Sequence, residues 1–245
     1  MSAIEVRVLP DETSLAASVA EALIDAIVAA QRERGSADIV LTGGGIGIAA
    51  LAAVAADPRR DQVDWSSVDV WWGDERYLPP GDPERNETQA RTALLDSLPL
   101  DPARVHPMPA AGVDPDDDAR AYADLLLSHA GPGLDVPAFD VLLLGMGPEG
   151  HVASLFPHSP GVHSAAPVVA VHGCPKPPPT RISLTLPSIR AARQVWVIAS
   201  GDSKAEAVAK CADPATDPVA VPAAGARGQD ASVLWVDRAA AAELP

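Results

Sequence analysis

Hydrophobic positions along the chain switch repeatedly between two periods. Residues 4–9 alternate, with Glu5 and Arg7 between apolar neighbours, and predict a first strand. Asp11 then offers an N-cap. Leu15, Val19, Leu23 and Ile27 recur every four residues up to Gly35, which predicts a long helix closed by a glycine. Residues 39–41 form a short apolar run, followed by a glycine cluster and an Ala/Leu-rich helix to about Ala56. Residues 68–72 predict a third strand and residues 84–98 a helix. The second half repeats the alternation: a helix over 119–129, a strongly apolar strand over 139–144, and strands at 168–171, 182–184 and 195–199. A helix from about Ser203 and a last strand at 232–236 follow. Asp116, Asp117 and Asp118 suit the positive end of the 119–129 helix. Alternation of this kind predicts an α/β fold, Rossmann-like and doubly wound: a mostly parallel sheet with helices on both faces. One domain over residues 1–245 is expected, with the Pro-rich residues 174–180 as a loop across one edge.

In such folds ligands gather where strands end, so the residues after each apolar run carry the chemistry. Thr42-Gly43-Gly44-Gly45 opens a helix, and glycine amides with a helix dipole suit a phosphate. No Gly-Lys-Ser/Thr follows, so this is not a P-loop, and a tight turn that binds nothing fits the same residues. Asp74-Glu75-Arg76 follows the third strand; Arg76 can hold a phosphate in its planar fork, and a local ion pair in a solvated loop is the alternative. Gly145-Met146-Gly147-Pro148-Glu149-Gly150-His151 satisfies G-x-G-x-x-G. A dinucleotide site is rejected nonetheless, because the acidic residue needed about 20 positions on is missing. Ser200-Gly201-Asp202-Ser203-Lys204 places a lysine in a first helical turn, an unfavourable end for a cation without an anion nearby.

Composition narrows the function. The 245 residues carry 18 Lys+Arg against 33 Asp+Glu, a net charge of −15, which argues against a nucleic-acid partner. Yet residues 151–201 contain no carboxylate, while the same window holds Lys176, Arg181, Arg190, Arg193 and four of the six histidines. A locally positive region in an acidic protein suits a small anionic substrate, unless the clustering stays scattered in space. His151 is the best candidate for proton transfer, since imidazole titrates near neutral pH. Ser154 lacks a nucleophile elbow, and no metal-ligand spacing or paired C-x-x-C occurs, so neither a metal nor a cofactor is required. The two cysteines, Cys174 and Cys211, the lack of an export signal and a longest apolar run of only residues 46–56 predict a cytoplasmic chain without a membrane span.

With these residues in view, the chain resembles the glucosamine-6-phosphate isomerase/6-phosphogluconolactonase family, on its lactonase branch. The likeness runs through the Thr42 to Gly45 loop, Trp72-Gly73-Asp74-Glu75-Arg76, Arg85-Asn86-Glu87-Thr88, Arg181-Ile182-Ser183-Leu184-Thr185 and Gly201-Asp202-Ser203-Lys204. The run from Gly147 to Pro157 is its most specific part. The resemblance implies hydrolysis of 6-phospho-D-glucono-1,5-lactone, a small sugar-phosphate lactone, in the pentose phosphate pathway. It implies His151 as the catalytic base, with Glu149 and Asp74 beside it. It implies phosphate and substrate contacts at Thr42, Gly43, Gly44, Arg76, Asn86, Arg181 and Lys204. Two departures stand out: Glu149 replaces the family's usual Asp, and Val152 its Thr. The alternative on the same scaffold is an isomerase or deaminase of an amino-sugar phosphate. Those relatives carry Asn-Glu-Pro after the histidine, where this chain reads Ser154-Leu155-Phe156-Pro157. A monomer or weak homo-oligomer is expected.

Overall fold

The structure, a computed structural model, describes residues 3–245. Strand β1 (Ile4–Leu9) leads into helix α1 (Glu12–Arg34). The four-residue spacing buries Leu15, Val19, Leu23 and Ile27; Asp11 accepts the Ser14 N–H at the start, and Gly35, at φ 80°, ends the helix. Then come β2 (Ala37–Leu41), α2 (Gly45–Ala56), β3 (Val68–Trp72), β4 (Asp74–Arg76), α3 (Asn86–Ala93) and α4 (Pro115–His129). The second half holds β5 (Val141–Gly145), β6 (Val168–Val171), β7 (Arg181–Leu184), α5 (Leu186–Arg190), β8 (Gln194–Ala199), α6 (Ala205–Ala212), α7 (Pro222–Gly225) and β9 (Ala231–Asp237).

Six strands form one parallel sheet in the order β1-β9-β8-β5-β2-β3. Connections from β1 to β2 and from β2 to β3 run toward one edge, and those from β5 to β8 and from β8 to β9 run toward the other. Right-handed crossovers therefore put α1 and α2 on one face and α5 and α6 on the opposite one. This is the doubly wound architecture the alternation predicts. By length and composition α1 could cross a bilayer, although polar residues interrupt its apolar positions. Its apolar stripe is buried in the core instead.

Three expectations need correction. Residues 84–98 do not form one helix: α3 stops at Ala93, Leu94 turns to φ −148°, ψ −56°, and a 3-10 turn follows. Residues 168–171 and 182–184 are strands, but outside the parallel sheet; with β4 they make a separate antiparallel sheet, β4-β7-β6. Asp74-Glu75-Arg76 is thus a strand rather than a solvated loop. Its polar sequence hid it, because it pairs with Ser183, Ile182 and Arg181, more than a hundred residues away, and shows no apolar alternation of its own.

Candidate active site

Strand order reverses between β2 and β5, the place where a parallel sheet opens a crevice beyond its carboxyl ends. There the Gly145 N–H donates to Thr42 Oγ1 at 3.0 Å, tying the two strand ends together. A cavity of about 490 Å³ opens over this junction. Thr42, Gly43, Gly44, Asp74, Arg76, Asn86, His151, Arg181 and Lys204 line it, so segments far apart in sequence converge as expected. Glu149 is not part of the wall; it stands behind His151.

One end of the cavity gathers glycine amides and positive charge. Gly44, at φ 82°, caps α2, and Gly43 passes so close to Asn86 that a Cβ there would collide with the amide. Lys204 occupies the residue before α6 and makes no ion pair among the described residues. Burial pushes its ammonium below the usual lysine range, and the charge of Lys176 adds to that. Arg76 Nη1 donates to the Glu84 carbonyl at 2.6 Å, which holds the arm in place. Across the β4–β7 pairing Arg76 faces Arg181 directly, a like-charge pair at the cavity wall. Arg181 also donates to the carbonyls of Lys176, Pro177 and Pro178, buckling the Pro-rich loop down beside the cavity.

The middle of the wall is set by buried polar contacts. Glu75, 1% exposed, accepts the N–H groups of Asn86 (2.7 Å), Arg76 (2.8 Å) and Glu87 (2.9 Å), and Arg85 lies 3.6 Å away. It therefore caps α3 from another element and fixes Asn86, whose Nδ2 donates to the Asp74 carbonyl at 2.8 Å. Burial pushes the Glu75 carboxyl up to about 7 against the pull of those donors. Asp74 Oδ2 accepts from Ser154 Oγ at 2.6 Å, and the Ser154 N–H donates to Ser183 Oγ at 3.1 Å. Ser154 is wholly buried and anchors Asp74, a role the absence of a nucleophile elbow does not reveal.

His151 faces this wall from the loop after β5. No helix follows β5; Met146 bridges back to Val152 and the Gly147 N–H donates to the His151 carbonyl, which removes the dinucleotide reading on structural grounds. Gly147 is obligatory, since a Cβ there would strike His151 Nδ1 and Glu149. Nδ1 is buried without a hydrogen bond: Glu149 Oε1 lies 3.1 Å away but off the bonding direction. Nε2 is then the nitrogen left to the cavity. Burial holds the imidazole below its usual range, with Lys176 pushing the same way and Glu149 opposing. Burial also acts on Glu149, but Lys176 and His151 outweigh it and leave that carboxyl below the ordinary glutamate range.

The acid-free window converges only in part. His151, Lys176 and Arg181 reach the cavity. Arg190 donates instead to the Gly225 carbonyl, Arg193 lies by Asp140 and Asp230, and His172 pairs with Asp116. Glu12 and Ser200, not singled out from the sequence, line the rim, with the serine hydroxyl donating to Glu12 Oε2 at 2.9 Å. Among the described residues no group of three or more His, Cys, Asp or Glu is arranged to hold a metal.

Residues 10–235 match the family described as glucosamine-6-phosphate isomerases/6-phosphogluconolactonase. A 6-phosphogluconolactonase of Streptomyces coelicolor is 55% identical over 242 residues, covering 96% of this chain and 92% of that protein. One from Mycobacterium tuberculosis is 51% identical over 245 residues, covering 98% of each chain. The solved 6-phosphogluconolactonase of Trypanosoma brucei superposes with a TM-score of 0.84 at 26% identity, over 99% of both chains. The chain belongs to the glucosamine-6-phosphate isomerase/6-phosphogluconolactonase family.

Proposed function

We propose that this chain hydrolyses 6-phospho-D-glucono-1,5-lactone to 6-phosphogluconate, the reaction its 51–55% identical relatives are named for. The observation that carries the reading is the arrangement around His151: a histidine with Nδ1 turned inward and the other nitrogen open to a cavity whose far wall is cationic. His151 takes a proton from water as the oxygen attacks the lactone carbonyl carbon. The tetrahedral intermediate then breaks its bond to the ring oxygen, which leaves with the proton from the imidazolium. A base held below the ordinary histidine range is already neutral at pH 7.

The Thr42 to Gly44 loop, Arg76 and Lys204 seat the phosphate. Contacts far from the reacting carbon thereby hold the ring in line, and their binding energy lowers the barrier there. The N–H groups of Gly145, Gly147 and Gly150 already donate within the protein. The developing oxyanion therefore falls to a cationic side chain rather than to those amides. Asp74, fixed by Ser154 and Asn86, is left to accept a sugar hydroxyl. Two unpaired, buried thiols accord with a cytoplasmic setting.

Freshly generated phosphogluconolactone, assayed above its spontaneous hydrolysis, tests this. His151→Ala is expected to lower kcat by roughly 10²–10⁴ with a modest change in KM. Near-normal turnover would remove His151 from the mechanism. Incubation with glucosamine 6-phosphate should release no ammonia; release would favour the deaminase reading.

A further inference from the structure

Lys176 lines the cavity with no part in the mechanism above, and its surroundings give it one. It rides on the Pro-rich loop that Arg181 fastens through the carbonyls of residues 176, 177 and 178. Its ammonium lies 2.9 Å from Glu149 Oε1 and 3.0 Å from Oε2, so it engages both oxygens of that carboxylate. The same Oε1 is the atom 3.1 Å from His151 Nδ1, which has no hydrogen-bond partner although it is buried. Two donors thus contend for one acceptor, and the ammonium holds it. A buried donor left unmade costs free energy, and an imidazole without an orienting acceptor has no fixed tautomer. Lys176 and Lys204 also face the same cavity, near enough for each charge to act on the other.

We propose that Lys176 is a positioning residue that couples capture of the substrate phosphate to the readiness of His151: an incoming dianion draws the ammonium away from Glu149, and the freed carboxylate accepts the Nδ1–H. The phosphate satisfies the lysine while Glu149 rotates onto the ring. The tautomer with the lone pair on Nε2 is then the one held toward the lactone. An unphosphorylated lactone would meet a base still lacking its partner, so discrimination appears in turnover as well as in binding. The flexible stem of Lys176, 41% exposed at its side chain, permits the exchange. No covalent bond changes; the only events are transfer of two hydrogen bonds and movement of one charge.

This rests on the lactonase reading of the same site, and the test separates the two. Full-length protein with ¹⁵N-labelled histidine is titrated by NMR with and without inorganic phosphate, as wild type, Lys176→Met and Glu149→Gln. In wild type, phosphate is expected to move the His151 midpoint upward and bring the Nδ1–H resonance downfield. In Lys176→Met the upward shift and the downfield proton are expected without phosphate, and added phosphate should change neither. Glu149→Gln should respond weakly in both conditions. A phosphate response in Lys176→Met equal to that of wild type, or a hydrogen-bonded Nδ1–H in phosphate-free wild type, overturns the coupling. Loss of turnover in His151→Ala alongside either result leaves the lactonase reading standing, whereas normal turnover in that variant strikes the reading itself.

Discussion

The two ends of the parallel sheet treat charge in opposite ways. At the carboxyl end, helix N-termini and glycine amides meet Arg76, Lys204 and Arg181, and among the described residues Lys204 has no carboxylate within ion-pair reach. At the amino end, Asp38, Asp69 and Asp140 come together, and cations answer two of them. Arg104 (2.6 Å) holds Asp69, which also hydrogen-bonds the His106 ring at 2.8 Å, while Arg34 and Arg193 attend Asp140. Asp38 accepts from Trp71 Nε1 at 3.0 Å; burial pushes its carboxyl up to about 6, and Asp69 and Asp140 add to that. One end answers most of its charges within the chain, Asp38 excepted, and the other leaves positive charge over. An internal balance serves stability, whereas a surplus facing a cavity serves a ligand.

The strongest test of this contrast after His151→Ala is Gly147→Ala. The added methyl displaces the imidazole and Glu149, and kcat is expected to fall about 10²-fold as the base leaves its position. Unchanged kinetics would mean that the ring is not held where its geometry suggests. Next in size, Arg76→Ala and Lys204→Ala are each expected to lower kcat/KM by about 10- to 100-fold, the loss of one charge-assisted contact. Turnover of unphosphorylated gluconolactone should hardly respond. A variant with equal losses on both substrates would not be an anchor.

At the amino end the effect should appear in stability alone. The folded-state value of Asp38 lies above its unfolded 3.8, so folding loses stability as pH rises from 3.8 through about 6, and the penalty stays constant above that. Asp38→Asn keeps the acceptor for Trp71 and should stabilise the fold by about 1–3 kcal/mol at pH 7.5. Thermal melts at pH 7.5 and pH 4 check this: the gain should vanish at the lower pH, and kcat/KM should not move. The smallest effect is the acid limb of wild-type kcat/KM. Activity needs the neutral imidazole, so it rises through the His151 value and is expected to level off with a midpoint below 6.5. A midpoint above 6.5 would show that burial and Lys176 do not govern that ring.

Much of this was legible in the chain. The four-residue spacing in α1 and the apolar runs of β2, β3, β5 and β8 report burial on a regular period, and the glycines and charges after them mark one edge. What was hidden depends on partners distant in sequence. β4 is a strand because Asp74, Glu75 and Arg76 pair with Ser183, Ile182 and Arg181, and no periodicity in three polar residues announces that. α3 begins at Asn86 because Glu75 caps it from another element, so the local pattern misplaced both of its ends. Lys176 stood out only as one positive charge among several. Its contact with Glu149 follows from the path of the Pro-rich loop, which spacing does not encode.

The placing of Arg76 opposite Arg181 across the β4–β7 pairing, on the wall of one cavity, has a practical consequence. A fold that lines one cavity with Arg76, Arg181 and Lys204 gains stability when an anion enters it, so occupancy and melting temperature are linked. Heat denaturation in the presence of graded phosphate esters can then rank ligands without any turnover, which suits a substrate that also hydrolyses on its own in water.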